Sequence, residues 1–251
     1  MTRFPDLSLS VILPVYNEAA SVDRAVRRSV DSLRQIVGRF EVLLINDCST
    51  DKTGAVAEAV ARDFPEVRVV HNPRNLRQGG CLKMAFPLAR YDLVTHNAID
   101  YPFDFDDLPA VLEQFPAADV VVVTRRSYPG VTAGRRFVSW TNRTLIRTLF
   151  GLNISDYNFV QVFKRTFLMN DASFSAGTAF ITVERILRAH HAGGRVVAVE
   201  AEYHRRHTGA SSSGNWRTVR DSLRDIARLW VELRIGSGRR SARTIKEGVD
   251  S

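Results

Sequence analysis

Thr95-His96-Asn97-Ala98-Ile99-Asp100-Tyr101-Pro102, followed by Phe103-Asp104-Phe105-Asp106-Asp107-Leu108-Pro109, is the stretch on which the reading of this 251-residue chain turns. It begins as the end of a buried strand, Asp92-Leu93-Val94-Thr95, and becomes polar where such a strand leaves its sheet. In open α/β sheets, ligands gather at those carboxyl ends. A carboxylate placed there can hold a hard divalent cation against nucleotide phosphates, because Mg²⁺ takes oxygen ligands and usually binds through one or two carboxylates plus substrate. Asp100 is the residue placed to do so. Asp104, Asp106 and Asp107 read instead as the start of a helix, whose positive dipole end acids stabilise.

Outward from this stretch, strands and helices alternate. Residues 7–16 (LSLSVILPVY) form an apolar strand, broken at Asn17-Glu18 ahead of helical spacing over 21–37. Residues 40–45 give a second strand, ending in Asn46-Asp47-Cys48-Ser49-Thr50-Asp51-Lys52-Thr53 before a helix over 54–63. Strand 67–71, helix 79–90, strand 93–95, helix 108–115 and strand 119–124 continue the series. Short apolar strands alternating with helices predict an α/β, Rossmann-like fold with a mostly parallel central sheet flanked by helices. After Thr124 the alternation stops, and 125–134 (RRSYPGVTAG) reads as a polar lid or linker. Helix 135–149, strand 160–163, helix 179–191, strand 196–203 and a basic loop over 204–214 follow. The last helix, 216–233, places Val219, Leu223, Ile226, Leu229, Trp230 and Leu233 on one side, with Arg217, Arg220, Arg224 and Arg228 around it. That pattern matches a helix lying in a membrane interface and equally one docked on the protein's own core. Residues 1–235 thus read as one domain, with a nucleotide-binding half (7–124) and an acceptor half (125–235). The basic tail 236–251 reads as disordered.

Bulk properties narrow the partners. A net charge of +8 and 45% hydrophobic residues suit a globular chain with anionic partners. No stacking platform or recognition motif accompanies the basic residues, which argues against nucleic acid. Cys48 and Cys81 belong to no Cys/His cluster, so neither a disulfide framework nor a zinc knuckle is indicated. No signal pattern opens the chain and no apolar run nears the ~20 residues of a spanning helix. The expected place is the cytoplasm, peripheral to the cytoplasmic face of a membrane.

The polar strand ends carry the candidate chemistry. Amides near Tyr16-Asn17 and at the Gly79-Gly80 helix start can meet phosphate or base edges. Asp47 can accept from a base N–H or a ribose hydroxyl, whereas Ser49 and Asp51 read as caps for the next helix. Arg24, Arg27 and Arg28 read as a solvated basic face.

Taken in order, these motifs resemble the family-2 glycosyltransferases of GT-A fold, within them the polyprenyl-phosphate sugar transferases similar to dolichol-phosphate mannose synthase. Pro14-Val15-Tyr16-Asn17-Glu18 looks like P-x-Y-N-E, Asn46 to Thr53 like D-D-x-S-x-D-x-T, and Asn75 to Lys83 like N-x-G-x-G-G-A-x-x with Arg77 replacing a glycine. In the second half, Arg135-Arg136 with Ser139 and Asn142 resembles R-R-x-x-S-R-x-x-N. Asp156 to Arg165 resembles D-x-N-x-x-x-K-x-F-R-R. Glu184 to Ala189 and Arg206 to Ser211 resemble E-L-L-x-R-A and R-x-x-G-x-S. The resemblance implies a nucleotide-sugar donor held by Pro14, Tyr16, Asn17, Glu18, Asp47, Gly79, Gly80, Lys83 and Asn97. It implies catalysis by Asp100, Arg135, Arg136 and Arg206, and transfer with inversion to polyprenyl phosphate. A non-lipid acceptor, or donor binding without turnover, are the competing readings.

The family usually shows D-x-D followed closely by Gln. Registered on Phe103-Asp104, that pattern puts Ala98 at the first Asp, Asp100 at the second and Pro102 at the Gln, with His96 and Asn97 beside them able to substitute in coordination, though a neutral amide compensates metal charge far less than a carboxylate. Mg²⁺ or Mn²⁺ is therefore expected to bind weakly or conditionally, with Asp100 as its carboxylate ligand.

Overall fold

The computed structural model describes residues 3–100, 103–126, 133–169, 180–201 and 216–247, giving only the backbone course for 133–138, 169, 216–219 and 236–247. Its centre is a seven-stranded sheet: β1 (Phe4–Val15), β2 (Val37–Asn46), β3 (Val67–His71), β4 (Leu93–His96), β5 (Val120–Arg125), β6 (Val160–Lys164) and β7 (Val196–Ala201). The spatial order is β3-β2-β1-β4-β6-β5-β7. β2 and β4 flank β1 in parallel, β3 pairs parallel with β2, and β7 pairs parallel with β5. β6 alone runs against its neighbours, inserted between β4 and β5. Because the chain builds outward from β1 on one side and then returns to its other side, the β1/β4 junction is the point where the strand order reverses. Crevices of open α/β sheets form there, outside the strand carboxyl ends.

The strands read as unbroken apolar runs because both faces are covered. On one face Leu9, Val11, Leu13, Leu44, Val121 and Val123 meet α1 (Val22–Ile36), α2 (Thr53–Asp63) and α4 (Leu108–Leu112). Helix α1 buries Val22, Val26, Val30 and Leu33, the three-to-four-residue spacing of one helical stripe. On the other face Ile12, Leu43, Ile45, Val94, Val120 and Phe163 meet α3 (Arg77–Ala85), α5 (Ala133–Phe150), α6 (Arg165–Met169), α7 (Ile181–His191) and α8 (Trp216–Glu247). Each fully buried Leu, Ile or Val contributes about 1.5–3 kcal/mol of transfer free energy, so the two clusters anchor the layers.

The structure differs from the sequence reading in three places. Helix α6 stood unread, because five residues are too few to show a period. Helix α8 was read as ending at Leu233, but its backbone runs on to Glu247; Arg, Ala, Lys and Glu there are good helix formers. The apolar stripe of α8 also docks inward: Ile226 and Leu229 are buried and Leu233 packs against the same cluster. Those three side chains face the protein's own core and are not offered to a membrane. No helix among the described residues is long and apolar enough to cross one.

Candidate active site

Four strand ends and one helix start meet at the carboxyl edge of the sheet. After β1, Asn17 takes φ +53° in the left-handed region. Its amide donates to Ser49 Oγ at 3.0 Å, while its Oδ1 accepts from Thr50 N at 2.9 Å. Glu18 N donates to Thr53 Oγ1 at 2.8 Å and Ala19 N to Asp51 Oδ2 at 3.3 Å. The loops after β1 and β2 are thereby zipped together. Asp51 Oδ1 accepts from Thr53 N at 2.9 Å at the start of α2, as expected of a capping residue, and bonding to Thr53 holds its carboxyl below the usual range. Ser49, read as a cap, instead accepts from Asn17. Tyr16 stands exposed, Pro14 and Glu18 half-buried, on the same lip.

Asp47 is 3% exposed, and its carboxylate is already engaged. Oδ1 accepts from Asn72 Nδ2 and Leu76 N, both at 2.8 Å, and Oδ2 from Arg77 N at 2.8 Å. The sequence reading gave this side chain to the ligand rather than to the fold. The structure corrects that: Asp47 fastens the loop between β3 and α3, and Arg77, held by it, takes φ +57°. Gly79 and Gly80 follow in the first turn of α3, where a Cβ on Gly80 would sit 2.7 Å from Leu76 Cβ. Lys83 lies half-buried a turn later. Beneath this loop Asn72 Nδ2 also reaches Cys81 Sγ at 3.3 Å, and burial, helped by Asp47, raises the Cys81 thiol to about 12.

At the end of β4, Asn97 N donates to Ile12 O at 3.0 Å, Asn97 Nδ2 donates to Phe103 O at 2.8 Å, and Asn97 Oδ1 accepts from Ala98 N at 3.0 Å. Its amide thus closes the acidic stretch into a loop. Phe103 and Phe105, fully buried, plug that loop into the core, and Phe103 meets Phe159 edge-on at 6.1 Å. Asp104 caps the following turn by accepting from Asp106 N at 3.2 Å and pairs with Arg28, which removes Arg28 from the merely solvated face. Asp100 is half-buried on the loop. Among the described residues, no three His, Cys, Asp or Glu side chains cluster as a ready cation site.

Two features of this edge go beyond the sequence reading. Arg125, ending β5, pairs with Asp156 at 2.5 Å and lies 5.2 Å over the Phe159 ring. The only hint was a charged residue at the end of β5 and another in the loop before β6. His96 and Gln161 are 4% and 0% exposed, and His96 Nδ1 and Gln161 Oε1 have no hydrogen-bond partner. Burial pushes the His96 pKa down to about 4, so the ring is neutral. Glu184 proves to be part of a buried ion pair: Arg188 donates to it at 2.8 Å and to Glu232 at 2.9 Å, bolting α8 to α7. The side chains of Arg135 and Arg136, on the first turn of α5, lie outside the described residues, as do Tyr101, Pro102, Arg205 and Arg206.

A model of glycosyl transferase family 2 matches residues 10–178. The chain belongs to that family. It is 30% identical to an undecaprenyl-phosphate mannosyltransferase of Micrococcus luteus over 80% of this chain and 85% of that protein. It is 28% identical to an undecaprenyl-phosphate 4-deoxy-4-formamido-L-arabinose transferase of Pseudomonas fluorescens, over 73% of this chain but only 55% of that relative's length. The chain thus spans about half of some relatives and most of others. The fold matches glucosyl-3-phosphoglycerate synthase of Mycobacterium tuberculosis in complex with Mn²⁺, UDP and phosphoglyceric acid, with TM-score 0.68 and 17% identity over 90% of this chain and 79% of that one. This family-2 chain is therefore a glycosyltransferase of GT-A fold, with its strand-end crevice at the β1/β4 reversal.

Proposed function

We propose that this glycosyltransferase moves a sugar from a nucleotide-sugar donor to a polyprenyl phosphate, inverting the anomeric carbon. The observation that carries the reading is the 30% identity to a polyprenyl-phosphate transferase across most of both chains. A phosphate monoester is already an anionic nucleophile near neutral pH, so its oxygen attacks the anomeric carbon without a strong general base. The new C–O bond forms on one face as the bond to the nucleoside diphosphate breaks on the other. The demanding part is the charge left on the diphosphate. Asp100 organises that charge as a cation ligand, and Arg135, Arg136 and Arg206 fork onto phosphate oxygens. Pro14, Tyr16, Asn17, Glu18, Gly79, Gly80 and Lys83 form the donor lip, which Asp47 and Asn97 support through their bonds to the surrounding backbone.

A divalent ion, Mg²⁺ or Mn²⁺, fits this site conditionally. A single carboxylate from the β4 loop leaves most of the oxygen shell to donor phosphates and water. Bound there, the ion would neutralise the departing diphosphate.

The acceptor is met at a membrane surface, and the exposed apolar side chains support where. Trp140 on α5 is 56% exposed, and Leu223, Val231 and Ile235 stand exposed on α8, which packs against α5. Arg143, Arg147, Arg220, Arg224, Arg228 and Arg234 surround them on the same helices, a composition suited to an anionic leaflet on the cytoplasmic side. The test combines UDP- and GDP-sugars with either undecaprenyl phosphate or hydroxyl acceptors in anionic vesicles. Acid-labile lipid-linked sugar is the expected product. Transfer to hydroxyl acceptors alone, or tight donor binding without transfer to anything, would replace this reading.

A further inference from the structure

Between the β7 edge of the sheet and helix α5 lies a groove of about 540 Å³, bounded on a third side by the loop before β6. Its sheet wall follows from the strand period. Val197 and Val199 pack into the cluster on the α1 face, so Ala198 and Glu200 point to the opposite face, where α5 lies. Its helix wall is one stripe of α5, since Trp140, Arg143 and Arg147 recur at i, i+3 and i+7. Ser155 comes from the loop.

The lining carries both signs of charge. Arg143 donates one of its N–H groups to Ser155 O at 3.2 Å, which braces it against the loop. Arg147 stands exposed one turn further on. Two guanidiniums so placed suit a phosphate, whose oxygens a planar fork meets better than an ammonium does. Glu200 is the odd member. Its ion contact with Arg126 is 3.7 Å long with both side chains 66% exposed, too long for a hydrogen bond and screened by water. A bare phosphate gains nothing from a carboxylate beside it, whereas a phosphate ester of an aminoalcohol gains at both ends.

Position separates this ligand from the reacting phosphate. Strands β6 and β5 stand between β4, whose loop carries Asp100, and β7, about 14 Å of sheet at the usual strand spacing. Ile99 and Phe103, which anchor that loop, pack on the face away from α5. An attacking oxygen has to lie about 3–3.5 Å from the anomeric carbon, so the groove takes a second molecule. Trp140, 56% exposed, is the side-chain type that settles at the head-group level of a bilayer. We infer that the groove seats the head group of one membrane phospholipid, a phosphoethanolamine, with its phosphodiester on Arg143 and Arg147 and its ammonium on Glu200. The inference rests on the membrane-surface part of the functional reading above, and gives these arginines a bound lipid where that reading asks only for a charged surface.

The test titrates the full chain calorimetrically with dihexanoyl-phosphatidylethanolamine below its micellar concentration, and with dihexanoyl-phosphatidylglycerol and inorganic phosphate for comparison. Saturable binding of one ethanolamine lipid per chain, tighter than the glycerol lipid, is expected. Arg147→Gln is the variant of choice, because Arg143 also braces the loop. It should weaken the ethanolamine lipid about tenfold, as the loss of a charged hydrogen bond does. Glu200→Gln should abolish the preference for the amine. Both side chains are exposed, and unchanged thermal unfolding midpoints verify that the variants fold. No saturable binding, equal affinity for the two lipids, phosphate bound as tightly as lipid, or indifference to both substitutions overturns the inference. Flotation on vesicles separates it from the functional reading. A chain that floats on anionic vesicles yet ignores the soluble ethanolamine lipid loses this site and keeps the membrane surface; one that does neither loses both.

Discussion

The two sides of the strand-end crevice are finished to different degrees. Around β1, β2 and α3, the side chains that tie the loops together have partners: Asn17 with Thr50, Ser49 with Asn17, Asp51 with Thr53, Asp47 with Asn72, Leu76 and Arg77. Where β4 meets β6, His96 and Gln161 keep sealed polar atoms with none. Buried polar groups are normally satisfied, so one side is a completed scaffold and the other is a place where a bond is still to be made. The consequences can be ranked by size, and each either sharpens or breaks this contrast.

The largest effect concerns Cys81, sealed under the finished side. Raising a thiol from its ordinary 9.0 to about 12 removes roughly a thousandfold of its reactive thiolate at a given pH. Cys48, exposed on the loop after β2, is open to solvent. Alkylation of the native protein near pH 8 should therefore modify Cys48 alone, with Cys81 appearing only on unfolding. Equal labelling of both by peptide mass analysis would mean that the scaffold opens freely.

Next comes Asp47→Ala. It strands the Leu76 amide and leaves Arg77 N with only Asn75 Oδ1 and Asn72 Nδ2 with only Cys81 Sγ, so it should cost about 2–3 kcal/mol of unfolding free energy, above the ~1 kcal/mol of a single neutral hydrogen bond. Urea denaturation measures it directly. A mutant as stable as the parent would show that the carboxylate is spare for the donor, as its position at a strand end first suggested. Asn97→Ala should cost less, about 1–2 kcal/mol, because it removes one side-chain donor to Phe103 O and one acceptor for Ala98 N. If Asn97→Ala cost nothing while donor affinity fell, Asn97 would move from the loop's closure to the ligand's side.

These residues show what a sequence can and cannot say about such a site. The strands were legible because both sheet faces are covered, making β1, β2, β4 and β5 continuous apolar runs ending in polar residues. That located the crevice. Strand order was not legible: nothing local in residues 160–164 tells that they insert antiparallel between β4 and β5. The meeting of His96 with Gln161 depends wholly on that insertion. Nor does residue type tell whether a strand-end Asp or Asn turns toward a ligand or toward neighbouring amides. Asp47 and Asn97 turned toward amides, and α8 turned its better apolar stripe toward the core. For Asp47 and α8 the deciding partner is remote in sequence, Leu76 and Arg77 for the one and α7 for the other.

The smallest effect is the most diagnostic of the finished side. Arg77 opens α3 with φ +57°, in a region that costs an L-residue roughly 1–2 kcal/mol and glycine almost nothing. Its amide donates to Asp47 Oδ2 at 2.8 Å and to Asn75 Oδ1 at 3.1 Å, so the turn is held by the Asp47 anchor together with a local contact. The side chain is exposed, so removing it vacates no core space. Arg77→Gly should therefore raise stability by up to about 1 kcal/mol, the relief of strain offset in part by the greater freedom of glycine in the unfolded chain. In an Asp47→Ala background the loop is no longer tied down, strain can relax by itself, and the gain should vanish. A double-mutant cycle reads that coupling. Equal gains in both backgrounds would mean that the left-handed turn belongs to the loop itself and owes nothing to Asp47.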